Sequence, residues 1–394
     1  MPIELAPNVF WVGAIDWDIR EFHGYVTERG STYNAFLILD DKITLIDTVK
    51  KEFVPELLER VAAVVDPEKI DYIVSNHVEM DHSGGLPEVM ARVKPEKLFC
   101  SAMGKAGLSR HYQSDWPFEE VKTGHEISLG RRHLLFLETP MLHWPDSMMS
   151  FLKEEQILFS SDGFGAHFAS SERFDDQTKD YAAYFHQLKK YYANILMPFG
   201  SLITRLLNSV DQLHLDFKLI APDHGLLLRD PGKVLTAYRK WGAGEVEPKA
   251  LVIYDTMWGS TELMAQALIN GLIDAGAETL PYRLRRTHYS DIVTDVLDAG
   301  LLLFGSPTLN NTMFPSMGEF LTYLQGLRPQ HKAAACFGSY GWSGQAVSQM
   351  NQILEAMKIK LVHEGFQCKY LPTLHELVEI RARGEHLARE NLKL

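Results

Sequence analysis

The chain has 394 residues, 46% of them hydrophobic, enough to fill more than one core, and this length predicts two domains. Its formal net charge is -12; residues 250–394 carry 12 Lys and Arg against 14 Asp and Glu, so -10 of that charge falls on residues 1–249. An acidic surface speaks against nucleic acid or an anionic membrane as partner, and no apolar run is long enough for a membrane span.

MPIELAPNVF at the N-terminus has neither a basic nor a hydrophobic leader segment, which reads as a cytoplasmic protein. Cys100, Cys336 and Cys368 form no CxxC pair, so these residues hold neither a disulfide framework nor a four-cysteine metal site. Any metal must be held by nitrogen and oxygen.

In chain order, Val9–Val12 is apolar, and Asn34–Leu39 and Ile43–Ile46 predict paired strands across Asp40-Asp41-Lys42. Apolar spacing over Phe53–Val65 predicts a helix. Ile70–Ser75 predicts a short strand running into His77-Val78-Glu79-Met80-Asp81-His82-Ser83-Gly84-Gly85, a loop that precedes another helix. Further strands are expected at Lys97–Cys100, His133–Glu138, Met148–Leu152, Ile157–Ser160 and Leu219–Ala221, with helices at Tyr181–Tyr192 and Leu202–Leu213. Trp241–Pro248 is polar and glycine-bearing and reads as the linker between domains at 1–249 and 250–394. Strands then alternate with helices: Ala250–Tyr254, Thr261–Ala275, Leu301–Phe304, Gly318–Leu327, Ala333–Phe337 and Gly344–Met357. That alternation predicts a parallel sheet with crossovers.

His77, Glu79, Asp81, His143, Asp162 and His224 are the candidate metal ligands, with His82 beside them. In HxExDH, alternate residues of a tight loop can converge, so that His77 and Glu79 share one ion while Asp81 and His82 face a second. Mixed imidazole and carboxylate donors suit iron or manganese, although zinc also accepts them. One histidine alone is more often a core or surface residue. The set is harder to dismiss, because His143, Asp162 and His224 stand in the unusual contexts LHWPDS, SSDGFG and PDHG. His23, Tyr25, Trp144 and Tyr192 read as pocket residues around these ligands, with aromatic core packing an equal alternative.

In the second half, Thr256-Met257-Trp258-Gly259-Ser260-Thr261 follows a strand and opens a helix, an anion site suited to a terminal phosphate. Two loops in phase with it, Gly305-Ser306-Pro307-Thr308-Leu309-Asn310-Asn311 and Gly338-Ser339-Tyr340-Gly341-Trp342-Ser343-Gly344, follow the next two strands and suit an isoalloxazine ring. Three such loops in order predict FMN. No GxGxxG follows a strand, which disfavours direct use of NAD(P)H.

The front-half motifs resemble the metallo-β-lactamase superfamily, whose hydrolases usually carry HxHxDH; Glu79 stands at the second histidine position. That exchange, the flavodoxin-like tail, and GAIDWD, HGY, STYNAF, MLHWPDSM and YYANI resemble the flavodiiron proteins, the rubredoxin:oxygen oxidoreductases above all. The resemblance implies a metallo-β-lactamase-like αββα sandwich followed by a flavodoxin-like doubly wound parallel sheet. It implies one iron on His77, Glu79 and His143, the other on Asp81 and His224, and Asp162 bridging. It leaves open whether His82 coordinates the second iron or turns away. It further implies reduction of dioxygen to water or of nitric oxide to nitrous oxide, electrons from rubredoxin, and a head-to-tail homodimer, with assembly into tetramers left open. The competing readings are a dizinc hydrolase with an accessory flavodoxin-like domain and an electron carrier with a structural metal site.

Overall fold

A computed structural model describes residues 1–212 and 216–394. The chain separates into two compact units: Met1–Tyr192 with Ser201–Arg239, and Ala193–Gly200 with Lys240–Leu394. Among the described residues no helix is long and apolar enough to cross a membrane.

The first unit is built on two sheets. In the larger, Ile3–Ala6, Val9–Trp11, Phe36–Ile38 and Thr44–Ile46 pair antiparallel, and Tyr72–Val74, Lys97–Cys100 and Phe118–Glu120 continue in parallel. The smaller runs Glu126–Ser128, His133–Glu138, Met148–Leu152 and Ile157–Ser161 antiparallel, with Leu219–Pro222 added in parallel. Side chains alternate across a strand, so neighbouring apolar residues serve different layers. Phe36 and Ile38 join Phe136, Met148 and Phe159 in the core between the sheets. Leu37 and Leu45 face the other way, against Leu57 and Val61 of helix Val54–Ala62 and Leu86 and Val89 of helix Leu86–Val93. Burial on both faces explains why these strands read as unbroken apolar runs.

The second unit is a parallel sheet in the spatial order Glu278–Arg283, Glu247–Tyr254, Ala299–Gly305, Ala333–Tyr340. Lys360–Leu361 and Phe366–Lys369 both pair along the far side of Ala333–Tyr340. Counting the last two as one interrupted strand, the order is 2-1-3-4-5, that of flavodoxin-like doubly wound sheets. Helices Ser260–Asp274 and Leu374–Asn391 share one core with the sheet through Met264, Leu268, Ile380 and Leu387.

Most expected elements form within two residues of their predicted ends. The expected helix to Leu213 runs over Gly200–Gln212, and Leu213 lies outside the described residues. The expected linker is shorter than Trp241–Pro248. Helix Pro231–Gly242 takes its first two residues and strand Glu247–Tyr254 its last two. Pro248 lacks an N–H, and the pairing with Ala299–Gly305 shifts register between Glu247 and Ala250. Two- and three-residue strands such as Ala14–Asp16, Ser31–Tyr33, Glu21–Phe22 and Tyr25–Val26 are too short for a period-2 signal.

Glycines set the closest helix approach in the second unit. A Cβ on Gly271 would lie 2.0 Å from the carbonyl oxygen of Arg381, and one on Gly384 would lie 2.7 Å from that of Leu268. Neither carbonyl can yield without moving its helix. Gly271→Ala is therefore expected to destabilise the protein by about 1–3 kcal/mol, seen as a lower midpoint in thermal unfolding; an unchanged midpoint would refute this packing.

Candidate metal centre and anion-binding cleft

Strands deliver the candidate ligands from their ends. Beyond Tyr72–Val74, Asn76 donates its backbone N–H and its amide Nδ2 to the Asp47 carboxylate, both at 2.7 Å, fixing the chain as it leaves the sheet. The expected loop then contains one helical turn, Met80–Ser83, closed by Ser83 Oγ donating to the Val78 carbonyl at 2.6 Å. That turn carries Asp81 and His82, while His77 and Glu79 precede it. Asp162 follows strand Ile157–Ser161, and His224 follows Leu219–Pro222. Gly225 adopts φ +85°, and a Cβ there would sit 2.6 Å from the Ala166 carbonyl oxygen, so the turn that aims His224 inward requires glycine.

The seven side chains converge in two groups, His77, Glu79, His143 and Asp162, and Asp81, His82 and His224. In the first, His77 Nε2 lies 3.3 Å from Glu79 Oε2 and 3.4 Å from Asp162 Oδ2, and His143 Nε2 lies 3.2 Å from each of those oxygens. In the second, His82 Nε2 lies 3.3 Å from Asp81 Oδ2 and 3.3 Å from Asp162 Oδ1, while His224 Nε2 lies 3.0 Å and 3.4 Å from the same two. Asp162 thus turns one oxygen to each group. Atoms about 2.0–2.2 Å from a common ion, at tetrahedral or octahedral angles, stand roughly 3.0–3.5 Å apart. Each group with Asp162 offers two imidazole nitrogens and two carboxylate oxygens.

Of these contacts the 3.3 Å approach of His77 Nε2 to Glu79 Oε2 also has hydrogen-bond geometry, but most of the others do not. Both Asp81 oxygens, both His82 nitrogens and Asp162 Oδ2 are buried and make no hydrogen bond. Polar atoms facing a shared point, rather than one another, are what a cation site leaves when only protein atoms are considered. Burial works against charge on Asp162, yet the imidazoles of His82 and His143 hold its carboxyl well below the usual range. Burial also opposes charge on His77, but the Asp146 and Glu79 carboxylates outweigh it and push that imidazole up to about 10. The donor set therefore fits two cations of the type that takes nitrogen and oxygen together.

A second layer aims the ligands. Asp146 Oδ2 faces His77 Nδ1 at 2.9 Å and accepts from the Val78 N–H at 2.8 Å. His224 Nδ1 donates to the Thr32 carbonyl at 2.6 Å, which turns Nε2 toward Asp81 and Asp162. Asp223 Oδ2 lies 3.6 Å from His82 Nδ1; burial, then the Asp47 carboxylate, pushes the Asp223 carboxyl well above its usual range. Tyr191 Oη donates to Asp162 Oδ1 at 2.9 Å, and His23 Nε2 stands 2.7 Å from Glu79 Oε1.

Of the four expected pocket residues, His23 touches a ligand, and Trp144 meets the His77 ring edge-on at 5.2 Å. Tyr25 packs beside His167, and Tyr192 packs on Tyr238. Asp146, Asp223 and Tyr191 are not among the expected site residues although each lies inside a quoted motif, LHWPDS, PDHG and YYANI; nothing in spacing distinguishes Tyr191 from Tyr192. A cavity of about 600 Å³ reaches Glu79 and Asp81, its wall including Phe22, His23, Lys50 and Met80.

In the second unit, Gly259 takes φ +91° as the residue before helix Ser260–Asp274, and no side chain caps that helix. Gly259 N–H donates to Thr256 Oγ1 at 3.0 Å, and a Cβ on Gly259 would meet nothing within 4 Å. The uncapped first turn thus faces open space, as an anion site requires. Beside it lies a cleft of about 540 Å³ whose lining includes Trp258, Pro307, Asn310, Tyr340, Trp342 and Tyr370. Its size and aromatic walls fit a flavin. Met257, Ser260, Thr308, Leu309, Asn311, Ser339, Gly341 and Ser343 also border it. Strand Ala333–Tyr340 extends three residues into the third expected loop. Gly305 and Gly338 are needed for packing between strands: a Cβ would meet the Phe337 ring at 2.2 Å and the Ser306 carbonyl oxygen at 2.1 Å.

Residues 32–225 match the family described as ODP family beta lactamase, and residues 252–384 match Flavodoxin. The chain is 43% identical to the nitric oxide reductase of Moorella thermoacetica over 98% of both chains. The solved rubredoxin oxygen:oxidoreductase of Desulfovibrio gigas superposes with a TM-score of 0.96 at 37% identity, covering 99% of this chain and 98% of that one. For the flavodiiron protein of Giardia intestinalis the values are 0.95 and 34%, over 99% and 96%. Matched end to end at these identities, and with a carboxylate at the position where the hydrolases have histidine, the chain belongs to the flavodiiron protein family.

Proposed function

We propose that the protein is an FMN- and diiron-dependent oxidoreductase that reduces dioxygen to water, or nitric oxide to nitrous oxide, with electrons from rubredoxin. The observation that carries this reading is Asp162, whose two oxygens face two separate nitrogen and oxygen donor groups. The relatives named for nitric oxide reduction and for rubredoxin-oxygen oxidoreduction favour it over a dizinc hydrolase.

In this reading His77, Glu79 and His143 hold one iron, Asp81, His82 and His224 the other, and Asp162 both. Residues 1–249 form the diiron domain and 250–394 the FMN domain, with the phosphate on Thr256–Thr261 and the ring against Ser306–Asn311 and Ser339–Gly344. A head-to-tail homodimer, in the cytoplasm, would bring the flavin of one chain to the irons of its partner. When bound, the two ferrous ions and the reduced flavin supply four electrons, the number that turns dioxygen into two waters.

The chain's own residues supply access, protons and rigidity. Phe22 and Met80 make part of the cavity mouth apolar, which suits an uncharged diatomic gas. His23 is part-exposed and in contact with Glu79 Oε1, so its Nε2 is placed to carry protons between solvent and the site. Tyr191 Oη holds Asp162 Oδ1, and Asp146 fixes the tautomer of His77.

Asp162→Ala should lower metal content from two irons per chain to one or fewer and cut oxygen consumption by about a hundredfold or more. Metal analysis beside an oxygen electrode reads both; undiminished oxygen turnover would favour the electron-carrier reading. Glu79→His, which recreates HxHxDH, should raise the zinc-to-iron ratio of protein produced with both metals present. An unaltered ratio would show that Glu79 does not select the metal.

A further inference from the structure

We infer that Arg285, acting with Asp255 and Ser316, sets the shape and charge of the phosphate loop and so decides preference for a flavin with a terminal phosphate over one without. The inference rests on the flavin reading above and names residues outside the three loops assigned to the cofactor.

Asp255 follows strand Glu247–Tyr254, directly before the loop, and is fully buried. Its carboxylate accepts from the Thr256 N–H at 2.8 Å, from Arg285 Nε at 2.8 and 3.0 Å, and from Ser316 Oγ at 2.6 Å. Arg285 Nη2 also donates to the Thr256 carbonyl at 2.5 Å. The N–H and the C=O of the loop's first residue are therefore held by the two halves of one ion pair. Thr256 Oγ1 in turn accepts from Gly259 N–H, so the clamp reaches the residue at which the helix begins.

Charge points the same way. Thr256–Thr261 contains no Lys or Arg, and a buried carboxylate behind a dianionic phosphate would repel it unless neutralised. Arg283 contributes little to that, lying 3.9 Å from Asp255 and 3.5 Å from Glu262. Arg285 is the cation in direct contact, and its guanidinium lies 5.0 Å from the centre of the Phe314 ring, which restricts its orientation. Lysine would keep the charge but lose the fork that reaches both Asp255 and the Thr256 carbonyl.

The test is to titrate FMN and riboflavin separately into flavin-stripped full-length protein, following quenching of flavin fluorescence. Arg285→Gln should weaken FMN roughly 10- to 100-fold, the effect of losing hydrogen bonds to charged groups, while riboflavin changes by about twofold or less. Arg285→Lys should fall between, and Ser316→Ala, which leaves the arginine in place, should weaken FMN by roughly threefold to tenfold. Equal losses for both flavins, or no loss of FMN in Arg285→Gln, would overturn the inference while leaving the flavin reading intact. A wild-type protein that binds riboflavin as tightly as FMN would overturn it too. Failure of the wild type to take up either flavin would instead remove the reading beneath it.

Discussion

The first unit depends on a single carboxylate that is required in two places at once. Asp162 is almost wholly buried, so bulk solvent screens its charge little. One oxygen faces His77 and His143, the other His82 and His224. Around it lie two further ligand carboxylates and, one shell out, Asp47, Asp146 and Asp223. Acids and imidazoles at such low exposure form a dense cluster of nitrogen and oxygen donors, which bound cations would balance. Both oxygens of Asp81 and both nitrogens of His82 are buried without a hydrogen bond, as suits atoms aimed at a cation.

Both units obtain their sites from the same feature of layered folds. A strand fixes its last residue, and the loop beyond it is free to carry chemistry. In the second unit, strands Glu247–Tyr254 and Ala299–Gly305 are neighbours in parallel, but the sheet's order reverses at the first of them. Loops leaving adjacent strands there run to opposite faces and open a crevice between them. The loops at Thr256–Thr261 and Ser306–Asn311 flank that crevice. In the first unit the ends of Tyr72–Val74, Ile157–Ser161 and Leu219–Pro222 converge on one point, so ligands from distant parts of the chain meet.

Legibility in the sequence followed the strength of the local signal. Strands such as Lys97–Cys100 and Met148–Leu152 were readable to the residue because burial of nearly every side chain makes them continuous apolar runs. The candidate ligands stand out in the sequence because histidine and carboxylate at such spacings are uncommon, and the structure brings all seven side chains together in two groups. Partners that act across space were not. Asp146 reaches His77 from 69 residues away and Thr32 reaches His224 from 192, distances at which no periodicity operates. Tyr191 and Tyr192 are adjacent and alike, and only the helix phase decides which meets Asp162. The helical turn at Met80–Ser83 was hidden for a different reason: its four residues are too few for an amphipathic pattern. The linker was overestimated because glycine and charge there mark a helix end and a strand start, not a flexible stretch.

The central claim is that two irons and one flavin in each chain act as a four-electron store for a small gas. The direct measurement is to load the full-length protein with iron and FMN, reduce it anaerobically, and titrate it in parallel with dioxygen and with nitric oxide. Complete reoxidation by one equivalent of dioxygen per four electrons without released peroxide, or reoxidation by nitric oxide with nitrous oxide formed, is the predicted result. Protein that stays reduced with both gases, or that releases one peroxide for every two electrons, would contradict the account.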